Sequence, residues 1–225
     1  MSNTSQRPLV MFGAGDIAEL ADYYFSLDHG RSVAAFILDD DFIKEERVMG
    51  RPVIARSEAP ADFPPLGTDF FAAVSYAGMN ALRRDRVQWA RSLGYGIASY
   101  VSPRADVFPN VRIGDHSFVL EQNVIQPFVT IGSNVTLWSG NHVGHHSTID
   151  DDVFVASHVV ISGRCRIGTG SFLGVNATIR DGVELGARTL VGAGALVLRG
   201  ADAEAVFPGS GTQVARRTSS EIPSI

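Results

Sequence analysis

A chain of 225 residues with 45% hydrophobic and 19% charged residues has the composition of a folded globular protein, with room for one large domain or two small ones. Its formal net charge of −5 argues against a nucleic-acid partner, because phosphates call for a basic surface. No apolar run is long enough to span a bilayer, the opening MSNTSQRPLV lacks a secretory apolar core, and the single cysteine, Cys165, excludes an internal disulfide, so the expected address is the cytoplasm.

The first hundred residues alternate strand and helix patterns. Residues 8–13 (PLVMFG) form a short apolar strand, and residues 16–27 carry helical spacing with an acidic first turn. A second strand covers 32–38, a proline-rich loop covers 59–65, and a third strand covers 69–74. A helix over 79–93 is stopped by Gly94, and a last strand runs over 96–101. The alternation predicts a small α/β, Rossmann-like parallel sheet over residues 1–100.

Within it, Gly13-Ala14-Gly15-Asp16-Ile17-Ala18 sets a G-x-G-x-x-A pattern between the first strand and the first helix. Glycines there let backbone N–H groups approach a phosphate or ribose. The second strand ends in Asp39, Asp40 and Asp41, at the sheet edge where such folds bind ligands, and a carboxylate there can accept from ribose hydroxyls or a base N–H. A nucleotide site is one reading of these residues. A tight turn beside a solvated acidic loop is the other, since Asp16 would repel a pyrophosphate on the helix end.

Beyond Ser102–Pro103 the pattern changes. Every sixth residue is aliphatic, from Val101, Val107, Ile113 and Val119 through Val143, Ile149 and Val155 to Val191 and Val197, with no inserted residue. Glycine recurs just after that position, at Gly114, Gly132, Gly144, Gly168, Gly174, Gly186 and Gly192. This is the period of a hexapeptide parallel β-helix, and three hexads per three-sided coil gives roughly five and a half coils over residues 101–202. Residues 203–225 read as an irregular cap. A solenoid leaves its flanks open, so a homo-oligomer is expected, and a triangular prism suits three-fold symmetry.

Of six histidines, four fall at His142, His145, His146 and His158, which makes Asn141–His146 the densest chemical cluster. His145 and His146 follow the aliphatic–glycine pair, which puts them on an outer corner. Gly163, one full coil on, leaves space beside His145, and an exposed imidazole with a free neighbouring slot suits general-base work. A metal site is the competing reading, but no Cys or Glu completes a ligand set nearby, and none is expected. Asp150, Asp151 and Asp152 read as a solvated corner, Ser147 as an inward small residue, and Cys165 as a packed thiol.

The glycine loop (Gly13, Gly15), the strand ending Asp39-Asp40, the Asp69–Ala73 strand, the hexads and the Gly144-His145 element together resemble the sialic acid O-acetyltransferase-type sugar acyltransferases of the left-handed β-helix superfamily. Within it the chain is most similar to N-acetyltransferases of nucleotide-linked 4-amino-4,6-dideoxy sugars of bacillosamine and perosamine type. The resemblance implies a left-handed β-helix, a homotrimer, and acetyl-CoA lying between adjacent solenoids near Gly163, Gly174, Val175 and Gly192. It implies a nucleotide-linked sugar held by Gly13, Gly15, Asp39 and Asp40, with Asn141 and His142 near the acceptor. It implies His145 as general base, assisted by His146, with direct attack on the thioester and N-acetylation as the favoured reaction. In that family a carboxylate usually follows the catalytic histidine, and here the position is His146. Sugar O-acetylation and a non-catalytic β-helix scaffold are the alternative functions.

Overall fold

The computed structural model describes residues 7–209 together with Gly211, Thr212, Val214 and Arg216. The first six residues, and with them the opening of MSNTSQRPLV, lie outside the described residues, as do Ser210 and most of the expected cap beyond it.

The N-terminal unit is a six-stranded sheet in the order β3-β4-β2-β1-β5-β6. Its parallel core comprises β1 (Leu9–Phe12), β2 (Val33–Leu38), β4 (Arg51–Ala55), β5 (Asp69–Ala72) and β6 (Gly96–Ile97). All four residues of β1 are buried, as expected for a central parallel strand covered on both faces. Helix α1 (Asp16–His29) ends at Gly30, whose left-handed φ of 60° lets a backbone N–H return to the Phe25 carbonyl. Helix α2 (Ala59–Asp62) is a single turn, and α3 (Ala81–Leu93) stops at Gly94.

Three local features depart from the sequence reading. An antiparallel hairpin, β3 (Arg47–Val48) with β4, adds an edge that charged residues and Pro52 had hidden. The proline-rich stretch at 59–65 holds α2, started by a proline in its first turn. The strand expected over 96–101 is two: Gly96–Ile97 completes the sheet, whereas Tyr100–Val101 pairs with Phe118–Val119 and opens the first coil.

The solenoid has three flat faces of two-residue strands. The first face holds seven strands, from Tyr100–Val101 to Val206–Phe207; the second holds six, from Asp106–Val107 to Leu196–Val197; the third holds five, from Arg112–Ile113 to Glu184–Leu185. Each strand pairs in parallel with its equivalent in the next coil, so Val119 meets Leu137 and Val143 meets Ile161. The aliphatic residues stack into one continuous buried ladder, with Val119, Ile125, Leu137, Val143, Ile149 and Val155 fully enclosed.

The corners obey a second six-residue rule. From His116 to Gly194 every sixth residue has a positive φ, and most are not glycine: Gln122, Phe128, Asn134, His146, Asp152, His158, Arg164, Asn176 and Arg188. A left-handed residue reverses the chain direction between faces. For non-glycine side chains other than Asn and Asp it costs about 1 kcal/mol, which the inter-coil ladders offset.

The two units interlock through buried polar groups. Arg83 of α3 enters the solenoid: its Nε donates to Asn134 Oδ1 (2.9 Å), and its terminal nitrogens donate to Thr136 Oγ1 (2.9 Å) and the Asn134 carbonyl (2.8 Å). Asn134 Nδ2 donates to Asp152 Oδ1 at 2.6 Å, so Asp152 is a buried partner and not the solvated corner expected for it. His116 accepts the Ala72 N–H on Nε2 (2.8 Å) and meets Asn134 Oδ1 with Nδ1 (2.7 Å). Its ring stacks on Phe71 at 4.6 Å.

Burial, reinforced by the neighbouring Arg83 charge, pushes the His116 imidazole down to about 3, so it is neutral in the folded chain. The unfolded chain would take up that proton near pH 6.5. The stabilisation is therefore fully present above pH 6.5 and is lost as pH falls towards 3. Denaturant unfolding at a series of pH values should show the native protein losing roughly 2 kcal/mol more than His116→Gln between pH 7 and pH 5. Parallel profiles for the two proteins would contradict this account.

Candidate active site

His145 and His146 stand on the corner between the second and third faces, both exposed. The corner is held by backbone contacts: the His145 N–H donates to Gln126 Oε1 (2.9 Å), the Gly144 N–H to the Ile161 carbonyl (2.7 Å), and the Arg164 N–H to the His145 carbonyl (2.8 Å). His146 takes the left-handed position with φ 60°, and its N–H reaches the Pro127 carbonyl (3.3 Å). The turn aims the two rings at each other, with Nδ1 to Nδ1 at 3.1 Å. Phe128, one coil earlier, stacks on His146 at 4.6 Å. His145 is thus locked through Nδ1, and Nε2 is its second nitrogen.

The slot expected beside Gly163 exists, and the His145 ring stands over it. A Cβ placed on Gly163 would lie 2.8 Å from Cε1 and 2.9 Å from Nε2 of that ring. The absence of a side chain at Gly163 therefore fixes where the imidazole rests. The Gly163 N–H makes no hydrogen bond among the described residues, which leaves a donor next to His145.

The other solenoid candidates are distributed. His142 is half-buried on the second face, between Val124 and Val160. Asn141 is buried, with Nδ2 donating to the Trp138 carbonyl and Oδ1 accepting from the Val159 N–H (2.7 Å); its amide is engaged inside the coils. His158 lies on the corner between the first and second faces, its ring against Gly140. Gly174 and Val175 share that corner, and Gly192 lies one coil beyond. Among the described residues no group of three or more His, Cys, Asp or Glu side chains is placed to hold a metal.

Gly174 and Val175 edge an apolar cavity of about 350 Å³ where the N-terminal unit meets the first face. Ile17 and Tyr76 close it from one side, and Trp138, Phe154 and Phe172 from the other. Tyr76 packs on Phe154 and Phe172 with ring centroids 5.2 and 4.7 Å away. Phe154 and Phe172 occupy equivalent positions in successive coils, and the fold brings Tyr76 over both.

Of the N-terminal candidates, Asp39 and Asp40 line a second cleft of about 620 Å³ at the carboxyl end of β2, whereas Gly13 and Gly15 are not part of its lining. Gly13 has φ 109° and presses on β5, where a Cβ would lie 2.5 Å from the Ala73 carbonyl oxygen, whereas a Cβ on Gly15, at the start of α1, would meet nothing. Asp39 is ion-paired with both Arg56 and Arg86 at 2.6 Å. Asp40 accepts from Ser57 Oγ at 2.5 Å, and this hydrogen bond holds its carboxyl below the usual range. Arg56 lies 5.8 Å from the Trp89 ring, and Arg86 lies 5.0 Å from Phe12. The cleft therefore offers two guanidiniums and an indole beside the acidic run. Sequence reasoning missed all three, because they come from β4–α2 and α3 and carry no local motif.

The His145 corner and the aromatic cavity lie on different edges of one prism, so a single chain does not bring them together.

Comparison with known families is consistent with this geometry. Residues 128–163 match the model of the bacterial transferase hexapeptide (six repeats), and residues 164–199 match the hexapeptide repeat of succinyl-transferase. Among solved structures, a mutant of perosamine N-acetyltransferase from Caulobacter crescentus, in complex with CoA and GDP-perosamine, is 28% identical with a TM-score of 0.80, covering 88% of this chain and 92% of the other. The chain carries hexapeptide-transferase repeats and is an acyltransferase with the β-helix fold of these acetyltransferases. The acetyltransferase domain of PglB from Neisseria gonorrhoeae is 27% identical to this acyltransferase with a TM-score of 0.75, covering 86% and 92% of the two chains. WeeI from Acinetobacter baumannii, at 20% identity and a TM-score of 0.72, shares the fold. No curated protein matches the acyltransferase by sequence. Among its described residues no helix is long and apolar enough to cross a membrane.

Gly163→Ala tests how the acyltransferase seats His145. Its backbone conformation accepts alanine, so the fold should hold with little change in Tm. The added methyl displaces the imidazole by up to about 1 Å, and kcat should fall by about 10²-fold. Unchanged kcat would show that the ring position does not matter.

Proposed function

We propose that the protein transfers the acetyl group of acetyl-CoA to the amine of a nucleotide-linked amino-deoxy sugar, working in the cytoplasm as a homotrimer. The observation that carries the reading is His145: an exposed imidazole, oriented through Nδ1 by His146 and seated over a glycine that leaves room for a reacting group. Relatives with the same two-part fold bind CoA, and one binds GDP-perosamine beside it.

In this reading the nucleotide occupies the cleft between Asp40, Arg56, Arg86 and Trp89. The sugar points towards the aromatic cavity, whose rings suit the C–H faces of a deoxy sugar. The acetyl-CoA arm follows the solenoid corner past Gly174 and Val175. Because cavity and base stand on different edges of one chain, a neighbouring protomer supplies His145, and a three-fold arrangement repeats that juxtaposition at each interface.

The amine attacks the thioester carbonyl and passes a proton to His145 Nε2. In this reading the Gly163 N–H, which makes no hydrogen bond among the described residues, stabilises the oxyanion. Collapse of the tetrahedral intermediate breaks the C–S bond, and the proton moves on to the departing thiolate. The buried Cys165, its thiol pushed up by burial, is unsuited to forming an acyl-enzyme.

His145→Ala should reduce CoA-thiol release with a 4-amino sugar nucleotide by about 10²–10⁴-fold while light scattering shows an unchanged trimer. Activity within a few-fold of the native protein would remove the base assignment. A thermal-shift series against GDP-, UDP- and dTDP-linked amino sugars should rank the acceptors, with the best one raising Tm in proportion to its saturation.

A further inference from the structure

The corner that carries His145 continues through the next two coils, and the third of its three layers holds a carboxylate. Gly163 sits one full coil after His145, and Asp181 sits one full coil after Gly163. The point a Gly163 Cβ would occupy lies 2.9 Å from His145 Nε2 and 2.9 Å from Asp181 Oδ1. The imidazole reaches that gap from one coil and the carboxylate from the other, so the two groups are separated by no more than twice that distance. The Gly182 N–H, bonded to the Gly163 carbonyl at 2.9 Å, ties the Asp181 turn to the Gly163 layer. Asp181 is exposed and makes no ion pair among the described residues.

Taking His145 as the base, we propose that Asp181 is its counter-charge, a positioning residue that holds the Nε2 side of the ring towards the gap and stabilises the imidazolium formed as the amine attacks. The need for one follows from the other nitrogen. Nδ1 is occupied by His146, an imidazole that fixes orientation and supplies no negative charge. The remaining charged side chains on the corner, Arg164 and Arg180, are cations that disfavour the imidazolium. Phe128 covers His146 and carries no charge. Asp181 is therefore the anion on this corner placed to offset the proton. The transfer is balanced without a further reactant: the amine proton passes to Nε2 while the N–C bond forms, and from Nε2 to the thiolate once the C–S bond has broken.

The test is Asp181→Asn in the full-length protein. Ring-proton NMR of the unliganded protein should show a lower His145 midpoint in the Asn protein than in the native one, and Asp181→Glu should restore most of the difference. Raising the salt to about 1 M should shrink the difference between native and Asn proteins, because the pair is solvent-accessible. The acid limb of the kcat profile should move the same way, with the plateau lowered about tenfold and KM for acetyl-CoA little changed. A His145 titration and kcat profile identical in the native and Asn proteins would overturn the role of Asp181. His145→Gln, assayed alongside, separates the two ideas. If it is inactive while Asp181→Asn titrates normally, only the counter-charge falls. If it is active, the base reading falls, and with it any catalytic role for Asp181.

Discussion

Each coil of the solenoid closes because one residue in six accepts a left-handed backbone, and everything else in the molecule is hung on that repeat. The inward ladder from Val101 to Val197 supplies the apolar burial, but aliphatic residues would serve a flat sheet equally well. The chain becomes a prism at His116, Gln122, Phe128, Asn134 and their successors, where it turns by about a third of a revolution. Filling ten such corners between His116 and Arg188 with side chains in place of glycine puts chemistry at the vertices. His146 orients His145 from one vertex, Asn134 receives Arg83 from another column with Asp152 accepting from the Asn134 amide, and His158 covers Gly140 at a third.

The second constraint is the join. A small sheet and a solenoid share little natural complementarity, and here a buried guanidinium and a buried neutral imidazole specify how they dock. Arg83 uses three donor atoms on Asn134 and Thr136, and His116 closes the circuit through the Ala72 N–H. Removing one partner of such a network leaves the others buried and unpaired, which is far more damaging than replacing the whole set with apolar groups. The orientation of the β2 cleft relative to the solenoid is therefore specified polar atom by polar atom, with Tyr24 reaching Glu121 (2.9 Å) as a further tie.

Much of this was legible in the sequence, and what was hidden has a common cause. The hexads announced the prism because a strict period survives any local substitution, and the His145 corner followed from its place in that period. The alternation of apolar runs gave β1, β2 and β5 because buried parallel strands read as continuous hydrophobic stretches. The β3–β4 hairpin carried no such signal, since Arg47, Arg51 and Pro52 mask an edge strand. Arg56, Arg86 and Trp89 come from separate elements and meet only in three dimensions. Arg83 read as one more charge on an amphipathic helix, though it is nearly inaccessible. Asp181 lay at a visible offset, two coils beyond His145, yet nothing in the sequence says that Gly163 is the gap both would face.

The unbroken coil count makes the solenoid a ruler. Parallel strands stack at about 4.8 Å, so each coil is one graduation along the prism axis. The N-terminal sheet is clamped to the coils that carry His116 and Asn134, and His145 lies on the coil that begins at Asn134. The reach from the β2 cleft to the His145 corner is thereby quantised. Inserting a coil between clamp and corner would lengthen it by one whole graduation, with no intermediate setting. Acceptors of different length in related chains would then be matched by whole coils gained or lost, not by gradual drift of side chains.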